Sequence, residues 1–132
     1  MDTISNMFVQ LKNAGKMAKK ETKISYSKMN LAILEILKNK GYITKYQEIK
    51  ATEKKYPIGI EVTLKYKNKD ELVFENIKKV STPGKRVYLK ASRLGYALKG
   101  KSDIIISTSQ GIMSGSDAKR KGLGGELIGE VM

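Results

Sequence analysis

Ten consecutive residues near the middle of the chain alternate between apolar and other side chains. Every even-numbered residue from 58 to 66 is apolar, and glycine, glutamate, threonine or lysine follows each of them. Successive side chains of a β-strand point to opposite faces of a sheet, so this pattern predicts a strand with one buried face and one solvated face. A turn at residues 68–70 and the apolar residues at 72–74 predict an antiparallel return.

An amphipathic helix is predicted at the N-terminus. Its apolar stripe has the spacing i, i+3, i+4, i+7 and consists of Ile4, Met7, Phe8 and Leu11. Asp2 is predicted to cap the start of this helix and Gly15 to end it. Lys12 is predicted to lie in the last turn, where the helix dipole favours a cation.

A second amphipathic helix is predicted between the N-cap Ser27 and Gly41. Its predicted apolar stripe consists of Met29, Ala32, Ile33, Ile36 and Leu37. A basic connection at residues 16–23 and a short strand around Ile24 and Tyr26 precede the helix, and residues 43–49 follow it as a strand.

Strands and turns dominate the C-terminal half. The patterns predict strands at 87–89, 103–108 and 127–131, a turn at Pro83 and Gly84, and one helical turn at 94–98. A short helix at 114–121 is predicted to be capped by Ser114 or Ser116. We therefore predict an α+β fold of two small lobes. Residues 1–70 are predicted to form a helix–strand–helix–strand–strand lobe, and residues 71–132 a mostly β lobe with a short helix.

The charge balance favours a polyanionic partner. The chain has 26 basic and 13 acidic residues and a net charge of +13, which indicates nucleic acid first and an anionic membrane surface second. Cysteine and histidine are absent, so we expect no disulfide, no metal, no cofactor and no histidine general base. No apolar run approaches the ~20 residues of a membrane helix, and no signal-peptide core is visible, so we expect a soluble intracellular protein.

Residues 95–102 match the phosphate-loop pattern G-x-x-x-x-G-K-[ST] letter for letter. That loop requires a preceding strand and a helix that begins at its lysine, but residues 103–106 read as a strand. We therefore reject a triphosphatase and predict no enzyme activity. Tyr96 and Leu98 are predicted to pack in the core instead. The glycines at 122, 124 and 125 do not have the spacing of a dinucleotide site.

Three hydroxyl residues follow the apolar run at 104–106. Ser107, Thr108 and Ser109 precede Gln110 and Gly111, and a loop glycine lets backbone N–H groups approach a ligand closely. Hydroxyls, amides and exposed backbone are the groups that contact riboses and base edges in the RNA minor groove. Alternatively, the hydroxyls only cap their own turn.

Four motifs together resemble the eighth family of small-subunit ribosomal proteins, in its bacterial form. In family order and at family spacing, they are DTISNMF at 2–8 with KNA at 12–14, SKM at 27–29 with ILEIL and GYI, VSTPGKRVY at 80–88, and STSQGIM at 107–113 with GLGGE at 122–126. The chain departs from the family at Gln110, which is usually basic, at the less charged residues 114–117, and at the non-aromatic C-terminus.

The resemblance implies a two-lobed protein of the small ribosomal subunit that binds the central domain of its rRNA and supports assembly. Neighbouring subunit proteins such as the fifth family, and the operon's own mRNA, are implied as further partners. A cytoplasmic ribosome is implied, with an organellar one left open. The implied RNA-binding residues are Ser107, Thr108, Ser109, Gln110, Gly111, Glu126, Lys85, Arg86, Tyr88, Lys12, Asn13 and Lys28.

Five of these residues keep open alternatives. Tyr88 either stacks on RNA beside Lys85 and Arg86 or faces the core as an ordinary strand residue. Glu126 is repelled by phosphate, so it either accepts hydrogen bonds from bases and riboses or holds the loop in shape. For Lys12, Asn13 and Lys28, a solvated helix surface is the alternative.

Overall fold

A computed structural model describes residues 2–50, 57–97, 100 and 102–132 of the chain. The chain divides into two compact units, Met1–Phe74 and Glu75–Met132. The predicted α+β class is confirmed, since both helices and antiparallel sheets are present. No described helix is long and apolar enough to cross a membrane.

The described part of the first unit places two helices against a three-stranded antiparallel sheet. Its elements are α1 (Thr3–Lys16), β1 (Glu21–Ser25), α2 (Lys28–Asn39), β2 (Ile43–Lys50) and β3 (Pro57–Leu64). The sheet order is β1-β3-β2, so the alternating sequence forms the central strand. The helices pack against β1 and β2 and against each other. The predicted return of the chain is present as an antiparallel bridge between Tyr66 and Leu72.

The burial of β3 differs from the simple alternation. Ile60, Val62 and Leu64 are buried as predicted, but Ile58 is 51% exposed. Ile58 lies beyond the end of its pairing with β1, because the last pair there joins Ser25 to Gly59. A central strand is covered by neighbours on both sides, and Gly59 is accordingly buried on the face predicted to be solvated.

The first helix starts as predicted but ends later. The Asp2 side chain accepts a hydrogen bond from Ser5 N at 2.8 Å, which confirms the cap. The prediction that Gly15 ends α1 is wrong: Gly15 is a buried helical residue whose Cβ, if added, would lie 2.0 Å from Leu72 Cδ1. Its role is close packing. Lys16, not Lys12, therefore occupies the last turn.

The second helix begins at the predicted cap, because Ser27 Oγ accepts from Asn30 N at 3.0 Å. Gly41 follows its end with φ +83°, as predicted. The predicted stripe is rotated, however: Met29 is 46% exposed, while Asn30 and Leu34 are buried. Asn30 is drawn inward because its Nδ2 donates to the Ser25 carbonyl at 3.1 Å.

The described part of the second unit contains a five-stranded antiparallel sheet with short helices on one face. Its elements are β4 (Ile77–Lys79), β5 (Tyr88–Leu89), a 3-10 helix (Ala91–Arg93), α3 (Leu94–Ala97), β6 (Asp103–Thr108), β7 (Gly111–Ser114), α4 (Gly115–Lys121) and β8 (Gly125–Val131). The strand order is β4-β8-β6-β7, and β5 also pairs with β8. Ser114 caps α4 by accepting from Asp117 N at 3.2 Å.

One apolar cluster joins the short helices to the sheet. Leu94 of α3 and Ala118 of α4 pack there with side chains from β6 and β7, namely Ile104, Ile106 and Met113. The prediction that Tyr96 belongs to the core is wrong, since it is 70% exposed. It points away because Leu94 already occupies the inward position of this single helical turn. Leu98, the other predicted core residue of the rejected phosphate loop, lies outside the described residues.

Candidate nucleic-acid interface

Four neighbouring strands place one residue each in a row across the second unit's sheet. Ser107 on β6 pairs with Glu126 on β8 and with Ile112 on β7, and Glu126 pairs in turn with Tyr88 on β5. Directly paired residues of antiparallel strands project from the same face. We call Tyr88, Glu126, Ser107 and Ile112 the cross-strand row.

The cross-strand row lies on the sheet face opposite the short helices. Ile106, the residue before Ser107, belongs to the apolar cluster beneath α3 and α4, and so does Leu89, the residue after Tyr88. Successive strand residues alternate between faces. The row is therefore on the face that these helices do not cover.

Tyr88 does not face the core. Its side chain is 66% exposed, and no described residue hydrogen-bonds to its hydroxyl. The alternative of an ordinary core-facing strand residue is therefore wrong. An exposed aromatic ring on a rigid strand has a free face on which a base or ribose can stack.

Glu126 has an intramolecular partner. Arg86 Nη1 donates to both carboxylate oxygens of Glu126, at 3.0 and 3.1 Å. The glutamate side chain is 16% exposed and the arginine side chain 54% exposed. The pair offsets the negative charge of Glu126 and ties the segment before β5 to β8, as the loop-holding alternative expects. Half of the Arg86 side chain remains accessible to a phosphate.

The hydroxyl residues lie at the end of β6 and at the start of a hairpin turn. Ser109 and Gln110 form the two-residue connection between β6 and β7, because Thr108 pairs with Gly111. Thr108 Oγ1 donates to the Gly111 carbonyl at 2.9 Å and accepts from Gln110 N at 3.1 Å. Gly111 has φ +109°, a conformation that favours glycine.

The two explanations of the hydroxyl triplet therefore apply to different residues. The capping explanation describes Thr108, whose proton is committed to the turn. Ser109 and Gln110 are exposed, and within the described residues their side chains have no hydrogen-bond partner. Ser107 is half-buried and likewise has no such partner there. The donors and acceptors of these three side chains are therefore unpaired among the described residues.

Two glycines allow the strands of this surface to approach closely. A Cβ on Gly125 would lie 2.0 Å from the Ser107 carbonyl oxygen, and one on Gly124 would lie 2.5 Å from the Leu89 carbonyl oxygen. Both distances are impossible for real atoms. Gly124 and Gly125, which do not form a dinucleotide site, instead let β8 pass close to both β5 and β6.

A buried serine, not predicted from the sequence, anchors the basic loop before β5. Ser81 is 2% exposed, and its hydroxyl donates to the Leu127 carbonyl at 2.7 Å while accepting from Val87 N at 3.0 Å. Thr82 and Lys85 then close the turn at Pro83 and Gly84 with reciprocal backbone hydrogen bonds. The loop thus presents Lys85 and Arg86 to solvent. Its position in the motif at 80–88 was the only signal in the sequence.

We expect Ser81→Ala to destabilise the protein by about 1–3 kcal/mol, because the Val87 N–H loses its acceptor and the Leu127 carbonyl loses its donor beside the buried Ser81. The midpoint of urea unfolding measures this change. Ser92→Ala is the matched control, since Ser92 is exposed and has no hydrogen-bond partner among the described residues. Equal midpoints for the two variants would contradict the anchoring role.

The remaining predicted residues lie in the first unit. Asn13 and Lys28 are exposed, and Lys12 is half-buried on α1. Lys28 is the first residue of α2, where the helix dipole disfavours a cation, so its position has no helix-stabilising explanation.

Within the described residues, the features of a phosphate loop or of a metal site are not found. Gly95 to Ala97 belong to α3, and Asp103 begins a strand where the phosphate-loop mechanism needs a helix. Lys99 and Lys101 of that match lie outside the described residues. Across the part of the chain that the structure describes, no group of three or more His, Cys, Asp or Glu side chains could hold a metal ion.

Comparison with known proteins gives consistent matches along almost the full chain. The family model described as ribosomal protein S8 matches residues 2–132. The small ribosomal subunit protein uS8 of Dictyoglomus turgidum is 42% identical over 127 residues, covering 96% of this chain and 94% of that protein. The proteins of the same name from Mycoplasmopsis pulmonis and Sorangium cellulosum are 41% and 35% identical, covering 96% and 98% of this chain and 93% and 97% of those proteins.

Proposed function

The chain belongs to the ribosomal protein S8 family, and we propose that it binds the central domain of small-subunit rRNA and supports assembly of the subunit. The family consists of ribosomal proteins and not of enzymes. The observation that carries the proposal is the cross-strand row, with its exposed tyrosine, its partnered glutamate and the free side chains of the adjoining turn.

Each group on this surface has a distinct role in the proposal. Lys85 and Arg86 pair with phosphates, and Tyr88 stacks on a ribose or base. Ser107, Ser109 and Gln110 exchange hydrogen bonds with 2′-hydroxyls and base edges in the shallow minor groove. Thr108 and Gly111 set the shape of the turn, and Glu126 holds Arg86 in place. Lys12, Asn13 and Lys28 add contacts from the first unit.

The surface is preorganised, which supports recognition of a preformed RNA shape. Two glycines, the Ser81 anchor and the Arg86–Glu126 pair fix the strands before any ligand arrives. A rigid site loses little conformational entropy on binding. The same surface would bind an mRNA segment that mimics the rRNA site and so repress the operon. Neighbouring small-subunit proteins, such as the fifth family, complete the proposed partners on a cytoplasmic ribosome.

Membrane-surface binding, the rival explanation of the charge, lacks its structural requirement. An interfacial helix needs a large exposed apolar face beside its basic residues. The apolar stripe of α1 is buried, and so are Ile33, Leu34 and Leu37 of α2. The positive charge is therefore better explained by RNA.

Ser109→Ala and Lys85→Ala should separate specific from electrostatic contacts. A lost hydrogen bond that strands a buried polar partner costs about 1–3 kcal/mol, so Ser109→Ala should weaken cognate rRNA binding roughly 5- to 150-fold. Binding to a scrambled RNA and the salt dependence should hardly change. Lys85→Ala should weaken binding to both RNAs and make the slope of log affinity against log salt shallower by about 0.9.

Both variants are to be titrated with one cognate and one scrambled RNA at several salt concentrations. The melting temperature serves as the control, because Ser109 has no side-chain partner among the described residues and its removal should leave the fold intact. A lower melting temperature for Ser109→Ala would make the residue a structural cap. Unchanged stability together with unchanged cognate affinity would exclude Ser109 from the RNA interface.

A further inference from the structure

The connection between α1 and β1 presents lysines around an exposed methionine. Lys16, Lys19 and Lys20 are exposed, and Met17 is 70% exposed. We call these four residues the lysine corner. Lys16 has an ordinary explanation, since a cation at the end of a helix interacts favourably with its dipole. Lys19 and Lys20 lie beyond the end of the helix, so the helix dipole does not explain their positions.

The backbone of the lysine corner is held in a fixed conformation. Ala18 N donates to the Gly15 carbonyl at 3.1 Å and Lys19 N donates to the Ala14 carbonyl at 3.0 Å, the two bonds of a Schellman motif. This motif puts Ala18 in the left-handed region, with φ 53°, where glycine is the usual residue. Alanine narrows the range of conformations that the turn can adopt.

Two further contacts attach the corner to the sheet. The Tyr66 hydroxyl donates to the Lys19 carbonyl, and Leu64 N donates to the Lys20 carbonyl at 2.9 Å. Four hydrogen bonds thus fix a segment whose exposed side chains are three lysines, one methionine and one alanine. An exposed apolar side chain between cations is not required for solubility, and Met17, at 70% exposed, contributes little buried area to this unit.

The carboxylates beside Lys19 form no salt bridge with the lysine corner. Glu21 and Glu61 share a shallow pocket with Lys19 and Lys23, and they are hydrogen-bonded to each other, which raises the pKa of Glu61. Lys23 and Lys45 are the cations that act on Glu61. No described residue forms a salt bridge with Lys16, Lys19 or Lys20.

We propose that the lysine corner is a second RNA-contacting element, in which Lys16, Lys19 and Lys20 bind consecutive phosphates and Met17 packs against the ribose or base between them. The inference rests on the proposed function and adds to it a preformed contact in the first unit. Proteins that contact a nucleic acid through lysine and arginine often insert an apolar side chain, methionine among them, between neighbouring bases. Binding at a preformed corner avoids the entropic cost of ordering a flexible lysine-rich loop.

The test compares two triple variants of the full chain with equal net charge. Lys16→Gln, Lys19→Gln and Lys20→Gln together remove the corner's charge, while Lys50→Gln, Lys65→Gln and Lys69→Gln remove the same charge from exposed positions elsewhere in the first unit. A fragment of small-subunit rRNA containing the central domain is the probe. The corner variant should make the slope of log affinity against log salt shallower by about 2–3, since each lost phosphate contact contributes roughly 0.7–0.9. The control variant should change it by less than about 1.

A second measurement does not depend on removing charge. A photo-crosslinking amino acid at position 17 should attach to the rRNA fragment, whereas the same group at position 58, which is also exposed, should not. Equal slopes for the two triple variants, or equal crosslinking at the two positions, would overturn the inference. If the protein still binds cognate RNA in that case, the inference fails but the proposed function does not. Wild-type protein that does not distinguish cognate from scrambled RNA would refute the proposed function itself.

Discussion

Raising the salt concentration from about 50 to about 200 mM should weaken binding of cognate rRNA roughly 250- to 16,000-fold. The reason is that lysines and arginines release condensed counterions when they neutralise phosphates. About five to eight neutralised phosphates correspond to a slope of log affinity against log salt near −4 to −7. The net charge of +13, with exposed lysines in both units, supports a number in this range.

Filter binding or fluorescence anisotropy across this salt range gives the slope directly. The scrambled RNA provides the reference, because its binding depends on phosphates alone and should show a similar slope at lower affinity. A slope near −1 for the cognate RNA would mean that few phosphates are engaged. The electrostatic part of the proposed interface would then be wrong, whatever the affinity itself.

Gly125→Ala should destabilise the second unit by about 3 kcal/mol or more, because overpacking here involves backbone atoms. The new Cβ would lie 2.0 Å from the Ser107 carbonyl oxygen and 2.8 Å from its carbonyl carbon. Neither atom belongs to a flexible side chain, so β6 and β8 must separate. The cross-strand row depends on that pairing, and we expect cognate RNA affinity to fall together with stability.

Gly84→Ala is the matched control for this substitution. A Cβ on Gly84 would meet no atom within 4 Å, and its φ is not in the left-handed region. The free energy of unfolding of the Gly84→Ala variant should therefore differ from that of the wild type by less than about 1 kcal/mol. Urea unfolding of both variants measures the difference. A Gly125→Ala protein as stable as Gly84→Ala would show that β8 does not need to approach β6 this closely.

Several elements could be predicted because their signals are local. Asp2, Ser27 and Ser114 cap helices through hydrogen bonds that reach only three residues along the chain. The bounds of β6 follow from a run of β-branched residues, and the structure places it at the predicted residues, Asp103–Thr108. Periodicity and capping depend on neighbours in sequence, so the sequence alone determines them.

Burial at the ends and edges of elements was decided by packing. Gly15 looks like a helix terminator, but Leu72 occupies the space that a side chain would need. Ile58 continues the apolar alternation of β3, but its pairing with β1 ends at Gly59, and the Ile58 side chain is exposed. The short β4 and β7 carry too few residues for a periodic signal, and each exists because a neighbouring strand offers hydrogen bonds.

The candidate site shows the same division. The chain itself indicates which residue types are available for RNA: hydroxyls beside a glycine at 107–111, and basic residues beside an aromatic at 85–88. Only the fold determines which of these residues bind one another. Arg86 pairs with Glu126, 40 residues away in sequence, and Ser81 hydrogen-bonds to Leu127, 46 residues away. Contacts of this range depend on strand order and register, which no local pattern encodes. The sequence thus determined the family and the chemistry of the surface, and the tertiary structure decided which side chains shape it and which remain free to bind.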